Sequence, residues 1–500
     1  MTATLLLLAP MRIEEAVLPR LPETRVLRTG MGPERARLAA ARALAVDARA
    51  VAVVGLCAGV APGLRAGDVV LASELRRDGA EPIEVPGSAL LAAGLRRRGF
   101  RVHVGPIAGV DRITGPAERA AAAADGTLAI DMESAWLADG AGERPLAVLR
   151  VVADAAGRRL TDPRMAVDGT RALASLRRAV PLLAEWAAAV RPRSVLLAAP
   201  RSFCAGVDRA IEVVELALEQ RGAPVYVRKQ IVHNEHVVAE LAGRGAVFVE
   251  ELDEVPAGAT VVFSAHGVSP AVRTDAAERQ LDVIDATCPL VSKVHAEARR
   301  FAEEGKTIFL IGHEGHEEVE GTTGEAPESI VLVEDVEEAA RVGASDPERV
   351  AFLTQTTLAV DETNEIVNVL RERFPLLRGP ASDDICYATA NRQQAVRAIA
   401  HDAQVVLVAG SQTSSNSRRL VEVAQRVGAR AYLVDDETDV DLAWIADADT
   451  VGVTAGASAP ERLVRRLIAA LGALGPVHLE ERTMTIETLQ FRLPREVTTR

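Results

Sequence analysis

The sequence predicts an α/β protein throughout, on three observations. Short apolar runs alternate with helical patterns from the first residues onward. In the second half nearly every apolar run closes in a polar loop containing Gly or Ser before the next helix begins. One grammar (an apolar or extended run, a turn carrying a cysteine, a helix) occurs three times: LLAAPRSFCAGVDRA at 196–210 with Cys204, VIDATCPLVSKV at 283–294 with Cys288, and SDDICYATANRQQAV at 382–396 with Cys386. A turn of this kind places a sulfur beside the positive end of a helix, which favours the ionised, metal-binding thiolate.

Composition narrows the classes. Five hundred residues correspond to roughly three or four domains at about 150 residues each. Apolar content of 48% with 25% charged residues suits globular cores, and 3% aromatics means that Ala, Val, Leu and Ile must fill them. A net charge of −13 without a basic stripe argues against nucleic acid as a partner. Four cysteines do not make a disulfide framework. The start, MTATLLLLAPMRIEEA, lacks a basic leader, and its apolar run is too short to span a bilayer. It reads as a first strand of a cytoplasmic protein with no stable membrane insertion, in a compartment where thiols stay reduced.

Taken in order, apolar runs at 5–8, 50–55, 68–72, 102–104, 128–130 and 146–152 predict strands, and 33–44 and 170–190 predict helices. The Arg191, Pro192, Arg193 stretch follows the second helix, and a fresh strand begins at Ser194. This gives an N-terminal domain over 1–190, a second over 194–480 and a tail over 481–500, with 476–500 reading as a strand pair and a charged end. After Ser194 the polar loops APRSFCAGV, SAHGVSP, DATCPLV, GHEGHEEVEG, TQTTLAV, DDICYATANR, GSQTSSNSRR and TAGASAP stand at strand ends, where parallel sheets bind ligands and helix N-termini take anions.

The cysteines stand 84 and 98 residues apart, with no local CxxC. Three thiolates can hold an iron–sulfur cubane with one iron left open. A zinc site with three sulfurs and an open position, or buried structural cysteines, are the other readings. His233, His266, His316, Ser414, Ser415, Asn416 and Ser458 follow apolar strands. Such imidazole, hydroxyl and amide donors suit a multiply charged phosphate, although each alone also reads as a cap or a satisfied loop group. No GxxxxGK[ST] or GxGxxG is present. Glu318, two residues after His316, is placed to donate a proton to a leaving hydroxyl; Glu314, Glu317 and Glu320 are its neighbours.

Nine segments, PRSFCAGVDRAI, VRKQIVHNEHVV, FSAHGVSPAV, DATCPLVSKVH, GHEGHEEVEGT, TQTTLAVDET, DDICYATANRQ, GSQTSSNSRRL and VTAGASAP, resemble the 4-hydroxy-3-methylbut-2-enyl diphosphate reductase family over about 194–471. The resemblance implies a trefoil of three α/β subdomains around a 4Fe–4S cluster on Cys204, Cys288 and Cys386. The substrate hydroxyl would meet the open iron. The diphosphate would be held by His233, His266, His316, Ser414, Ser415, Asn416 and Ser458, with Glu318 as proton donor relayed by Thr356. Electrons would come from ferredoxin or flavodoxin, since no flavin or nicotinamide motif is present.

In the first 190 residues, RTGMGPERA, VVGLCAGVAPGLRAGDVVLAS, AIDMESAWLA and LRVVADAAG are Gly turns and acids at strand ends. In this order they resemble the nucleoside phosphorylase and nucleosidase superfamily, and among its members the hopanoid-associated one that strips adenine from adenosylhopane. The resemblance implies a phosphorylase-like α/β domain, ribose contacts from Met132 and Glu133, and purine protonation by Asp154. For water activation APMRIEEA offers Glu14 or Glu15, in a register shifted from the family's. Cys57 reads as a packing residue. The expected protein is bifunctional; the alternative makes residues 1–190 a non-catalytic binding or assembly module.

Overall fold

The computed structural model describes residues 3–154 and 165–498. LRVVADAAG runs past the described residues after Asp154. The chain forms two compact units: Met1–Val195 with Asp436–Val451 and Arg465–Leu479, and Leu196–Asp435 with Gly452–Val464 and Glu480–Arg500.

The first unit is built on an eight-stranded mixed sheet. Its spine, Ala3–Ala9, pairs in parallel with Thr24–Arg28 and Ala48–Gly59. Leu5, Leu6, Leu7 and Leu8 are all buried, which is why this strand reads as a continuous apolar run without alternation. Leu146–Asp154 runs parallel to Ala48–Gly59 and antiparallel to Val69–Arg77. The sheet therefore carries the ends of Ala48–Gly59, Ala129–Asp131 and Leu146–Asp154. Two strands, Thr24–Arg28 and Ile83–Glu84, escaped the sequence reading. Both are short, and most of their residues are partly or fully exposed, so they lack an apolar run.

The single helix expected over 170–190 is two, Met165–Ala179 and Pro181–Ala189. Pro181 has no N–H to give the preceding turn and opens the second helix as its first residue.

Beyond this sheet the described residues form three more, of four, three and five strands. The register runs parallel within the four- and three-stranded sheets, for example Tyr226 opposite Val261 and Leu310 opposite Leu353. The fold is α/β, with helices following the strands as the alternation predicted. The expected C-terminal strand pair is a single strand, Val477–Thr483, at the edge of the five-stranded sheet, followed by a short helix, Arg495–Thr498. Between them Asn391 and Arg392 donate to the Glu487 carboxylate, so side chains rather than a second ladder secure the tail. Among the described residues no helix is long and apolar enough to cross a membrane.

Candidate functional sites

Each of the three cysteines is the N-cap of its own helix: Cys204 before Ala205–Arg221, Cys288 before Pro289–Glu303, Cys386 before Tyr387–Ala400. All three line one cavity. The helix ends act as expected in sign but not in outcome. Burial pushes the Cys288 thiol up to about 11 and outweighs the N–H groups of Leu290 and Val291. Burial likewise pushes Cys386 up to about 12, against the hydroxyl and N–H of Thr389, and raises Cys204. Ionisation at these sulfurs therefore calls for a cation that the helix dipoles alone do not replace.

The donor set fits a cluster better than one ion. Among the described residues the three sulfurs do not form a group whose donor atoms all lie within 4.8 Å of one another. Thiolates on one tetrahedral zinc stand about 3.8 Å apart, given Zn–S near 2.3 Å, whereas thiolates on separate irons of a cubane stand farther apart. Room is left by Gly206, where a Cβ would lie 2.8 Å from Cys288 Sγ and 3.8 Å from Cys204 Sγ.

The rim of the same cavity carries the imidazoles. His233 stacks on His266 with centroids 4.1 Å apart, and His316 stands edge-on to both at 5.5 and 6.0 Å. Three groups define their charge states. His266 Nδ1 lies 2.9 Å from Glu317 Oε2, and this hydrogen bond and charge overcome burial to raise the His266 pKa. Glu317 is held down at about 2 by the same pair against its own burial. His233 is pushed down to about 2 by burial and by the charge of His266, and both its ring nitrogens are buried without a partner. His316 Nδ1 accepts from the Glu318 N–H at 3.2 Å, which leaves Nε2 as its donor. His233, His266 and Glu317 bring donor atoms within 4.8 Å and could also hold a small cation.

Hydroxyl and amide groups complete the rim. Ser414 caps Ser415–Val427, and Ser458 Oγ reaches both Ser414 Oγ at 3.4 Å and the His233 carbonyl at 3.0 Å. Asn416 Oδ1 accepts from the Ala457 N–H at 2.9 Å, and its Nδ2 donates to Thr389 Oγ1 at 3.3 Å. Ser415 Oγ is buried and unpartnered. Between rim and sulfurs stands Glu318, which accepts from the Thr356 N–H at 2.9 Å and from Thr356 Oγ at 3.0 Å. The Thr356 carbonyl in turn accepts from the Cys386 N–H at 3.0 Å. Of the four glutamates in this loop, Glu318 is the one lining the cavity: Glu317 pairs with His266, Glu320 with Lys229, and the Glu314 N–H with Glu334.

A second cavity lies in the first unit, lined by Glu14, Met132, Glu133, Arg119 and Asp154 among others. Glu14 is buried and accepts from the Leu56 and Met11 N–H groups, each at 2.7 Å. Glu15 instead pairs with Arg28 at the surface. Glu133 accepts from the Gly32 N–H at 3.0 Å. Arg150, fully buried, lies 2.9 Å from Asp131 and 3.6 Å from Glu133. Burial raises the pKa of both Glu14 and Glu133 against the pull of Arg150. Gly55 lets them meet, since a Cβ there would lie 2.5 Å from both Arg150 Nη1 and Glu14 Oε1. Asp154 Oδ2 accepts from Arg119 Nη1 at 2.6 Å. Cys57 is buried in the core of this unit.

Apart from Glu15, Glu314, Glu317 and Glu320, the candidate residues of the sequence reading line one of two cavities. Missed were Thr389, Tyr387, Gly206 and Phe491 in the first and Arg119 in the second, together with the fully buried Arg150, which pairs with Asp131 and Glu133 without lining the cavity. Thr389 had a signal, its capping distance of three residues from Cys386; Phe491, in a tail without periodicity, had none.

The elements define an α/β protein with a thiol-floored, anion-ready pocket in one unit and a buried carboxylate pocket in the other. The chain belongs to the LytB protein family, whose profile matches residues 195–472. Residues 20–184 match the phosphorylase superfamily. The chain is 62% identical over 306 residues to the 4-hydroxy-3-methylbut-2-enyl diphosphate reductase of Acidothermus cellulolyticus, covering 61% of this chain and 90% of that one. It is 58% identical over 308 residues to 4-hydroxy-3-methylbut-2-enyl diphosphate reductase 1 of Mycobacterium tuberculosis, covering 61% and 94%. The solved E-1-hydroxy-2-methyl-but-2-enyl-4-diphosphate reductase of Plasmodium falciparum superposes with a TM-score of 0.59 at 36% identity, over 62% of this chain and 98% of that one.

Proposed function

We propose that the protein reductively removes the hydroxyl of 4-hydroxy-3-methylbut-2-enyl diphosphate, giving isopentenyl and dimethylallyl diphosphates, at a 4Fe–4S cluster held by Cys204, Cys288 and Cys386. The observation that carries this reading is the convergence of three helix-capping thiols on the cavity that Glu318 and three imidazoles line. When bound, the cluster supplies Lewis-acidic iron and passes on the two electrons, delivered by a partner such as ferredoxin or flavodoxin. The chain's own residues do the rest. His266, charged by Glu317, together with His233, His316, Ser414, Ser415, Asn416 and Ser458, grips the diphosphate and fixes the allylic end toward the sulfurs. Glu318, oriented by Thr356, holds a proton at its carboxyl for the departing hydroxyl. Two electrons and two protons enter, and one water leaves. We place this chemistry in the cytoplasm and in residues 194–480, with 481–500 as a tail.

For residues 1–190 we propose cleavage of a purine nucleoside. Met132 and Glu133 face the ribose, Glu14 faces the attacking water, and Asp154 faces the base. The burial of Glu14 and Glu133 beside one cavity with Asp154 supports catalysis over a binding module.

The test is anaerobic: iron and sulfide content, then turnover of the hydroxylated diphosphate with a chemical reductant. About four irons per chain with turnover, both abolished by Cys288→Ser, are expected. Iron-free, inactive protein after reconstitution overturns the reading.

A further inference from the structure

Each cysteine-capped helix carries a cation about one and a half turns in, five, five and six residues after its cysteine: Arg209, Lys293 and Arg392. Each of the three reaches the backbone that leads into another cysteine. Arg209, behind Cys204, donates from Nη1 to the carbonyls of Ala286 at 2.9 Å and Thr287 at 3.1 Å, just before Cys288. Lys293, behind Cys288, donates to the carbonyls of Ser382 at 2.6 Å and Asp383 at 3.1 Å and to the Asp384 carboxylate at 3.1 Å, shortly before Cys386. Arg392, behind Cys386, donates from Nε and Nη2 to the Ser202 carbonyl at 3.1 and 2.8 Å and from Nη2 to that of Phe203 at 3.2 Å, just before Cys204. The links therefore close: Cys204 to Cys288, Cys288 to Cys386, and Cys386 back to Cys204. The closing link spans 190 residues of chain, so local connection does not produce the pattern.

Buried carbonyls need donors, but a hydroxyl or an amide would serve. A guanidinium without exposed surface, as at Arg392, is costly to bury unless negative charge lies near. Glu487 supplies some at Arg392, accepting at 3.1 Å, and Asp384 does so at Lys293. Arg209, also buried, donates to carbonyls alone in its three hydrogen bonds, the third being that of Arg492 at 2.8 Å. Resting on the cluster reading above, we infer that Arg209, Lys293 and Arg392 form a closed ring of positioning residues, each fixing the turn of the next cysteine in the cycle, so that the three sulfurs are placed as one unit within a positive surround. A cluster on three thiolates is anionic and becomes more so on reduction, so positive charge left over in the ring favours the reduced form. More of that charge is left at Arg209 than at the two cations that carry a carboxylate. The C-terminal tail gains a role as well, because its Arg492 carbonyl and Glu487 carboxylate hold two members of the ring.

The experiment is amide hydrogen exchange on the full-length protein, read in peptides spanning the three turns, 200–207, 284–291 and 380–389. Arg209→Gln should speed exchange in 284–291, Lys293→Met in 380–389 and Arg392→Gln in 200–207, each at least about threefold more than in the other two turns. A cation that merely packed its own helix would loosen the turn of its own cysteine, or all three turns alike; either pattern overturns the inference. The loaded protein gives a second reading, the ratio of reduced to oxidised cluster at one fixed potential. Arg209→Gln should lower that ratio, and Glu487→Gln raise it, by at least about threefold. Arg209→Lys, which keeps the charge and loses the fork, should stay within about twofold of wild type. Thermal melts monitor folding. Arg209→Lys, Arg392→Lys and Lys293→Gln replace any ring variant that fails to fold, and the same turn should respond. Glu487→Gln carries the second reading where Arg209→Gln takes up no iron. A ratio unmoved by the charge variants overturns the inference and leaves the cluster reading intact. Wild type that takes up no iron after reconstitution overturns the cluster reading itself.

Discussion

Thr356 holds Glu318 with two groups at once, its N–H at 2.9 Å and its hydroxyl at 3.0 Å, and its carbonyl accepts the N–H of Cys386. One residue therefore sets the position of the carboxyl against that of a sulfur. Glu318→Gln keeps the size and loses the proton; turnover should fall by about 10²–10⁴-fold, with pyrophosphate affinity within about threefold of wild type. Thr356→Val keeps the N–H contact and should cost less. Steady-state kinetics with the hydroxylated diphosphate, beside pyrophosphate titrations, reads both.

Gly206 leaves space between two sulfurs, with a Cβ 2.8 Å from Cys288 Sγ. Gly206→Ala should fold normally, because its helix gains rather than loses propensity, yet load less than half the iron of wild type. Iron analysis and the visible absorbance of reconstituted protein, compared at equal melting temperature, check this. Full loading would show that the gap is not needed.

His266 and Glu317 respond to pH in opposite windows. The Glu317 pKa is lowered to about 2 from 4.5, so its contribution to stability is present above 4.5 and lost as pH falls toward 2. The His266 pKa is raised from 6.5, so its contribution is complete below 6.5 and lost as pH rises through the raised value. Pyrophosphate affinity, taken as the ratio of wild type to His266→Gln to cancel the ligand's own ionisation, should decline above pH 6.5. A flat ratio from pH 6 to 9 would mean that the imidazole charge does not grip the anion.

Lys293 ties the helix behind Cys288 to the loop before Cys386, donating to the Ser382 and Asp383 carbonyls and to Asp384 at 3.1 Å. Asp384 is fully buried, and burial raises its pKa to about 6 even with Lys293 beside it. Lys293→Met should destabilise by about 2 kcal/mol, less than a fully buried pair because the lysine keeps some contact with water. Adding Asp384→Asn should restore part of that loss. Urea denaturation of the single and double variants measures it.

The legible part of this protein was local. Cys204, Cys288 and Cys386 announced themselves because a cysteine between an apolar run and a helix is short-range grammar, and the helix caps bear that out. Pro181 broke a helix that periodicity alone carried through, because the apolar stripe continues on both sides of it. The choice of Glu318 over Glu317 depends on which face of one turn meets Thr356, 38 residues away. Arg119 opposite Asp154 joins a helix to a strand 35 residues on, and nothing in an alanine-rich helix marks its one useful arginine. The net effect on the thiols was not legible for a related reason: helix ends, which favour the thiolate, are visible in sequence, whereas desolvation, which opposes it, is a property of the finished core.

The wide separation of the cysteines has a bearing on how the protein is made. An unfolded chain that tried to gather three sulfurs spaced 84 and 98 residues apart would have to close two long loops, an entropic penalty with no packing to offset it. Cys386 also emerges last, after most of the chain has left the ribosome. Metal captured early would be held by one or two thiols and easily lost. With the proposed cluster on these three sulfurs, its insertion would serve as a quality check on the nascent enzyme: only a chain whose three cysteine-capped helices have all docked presents a complete cradle.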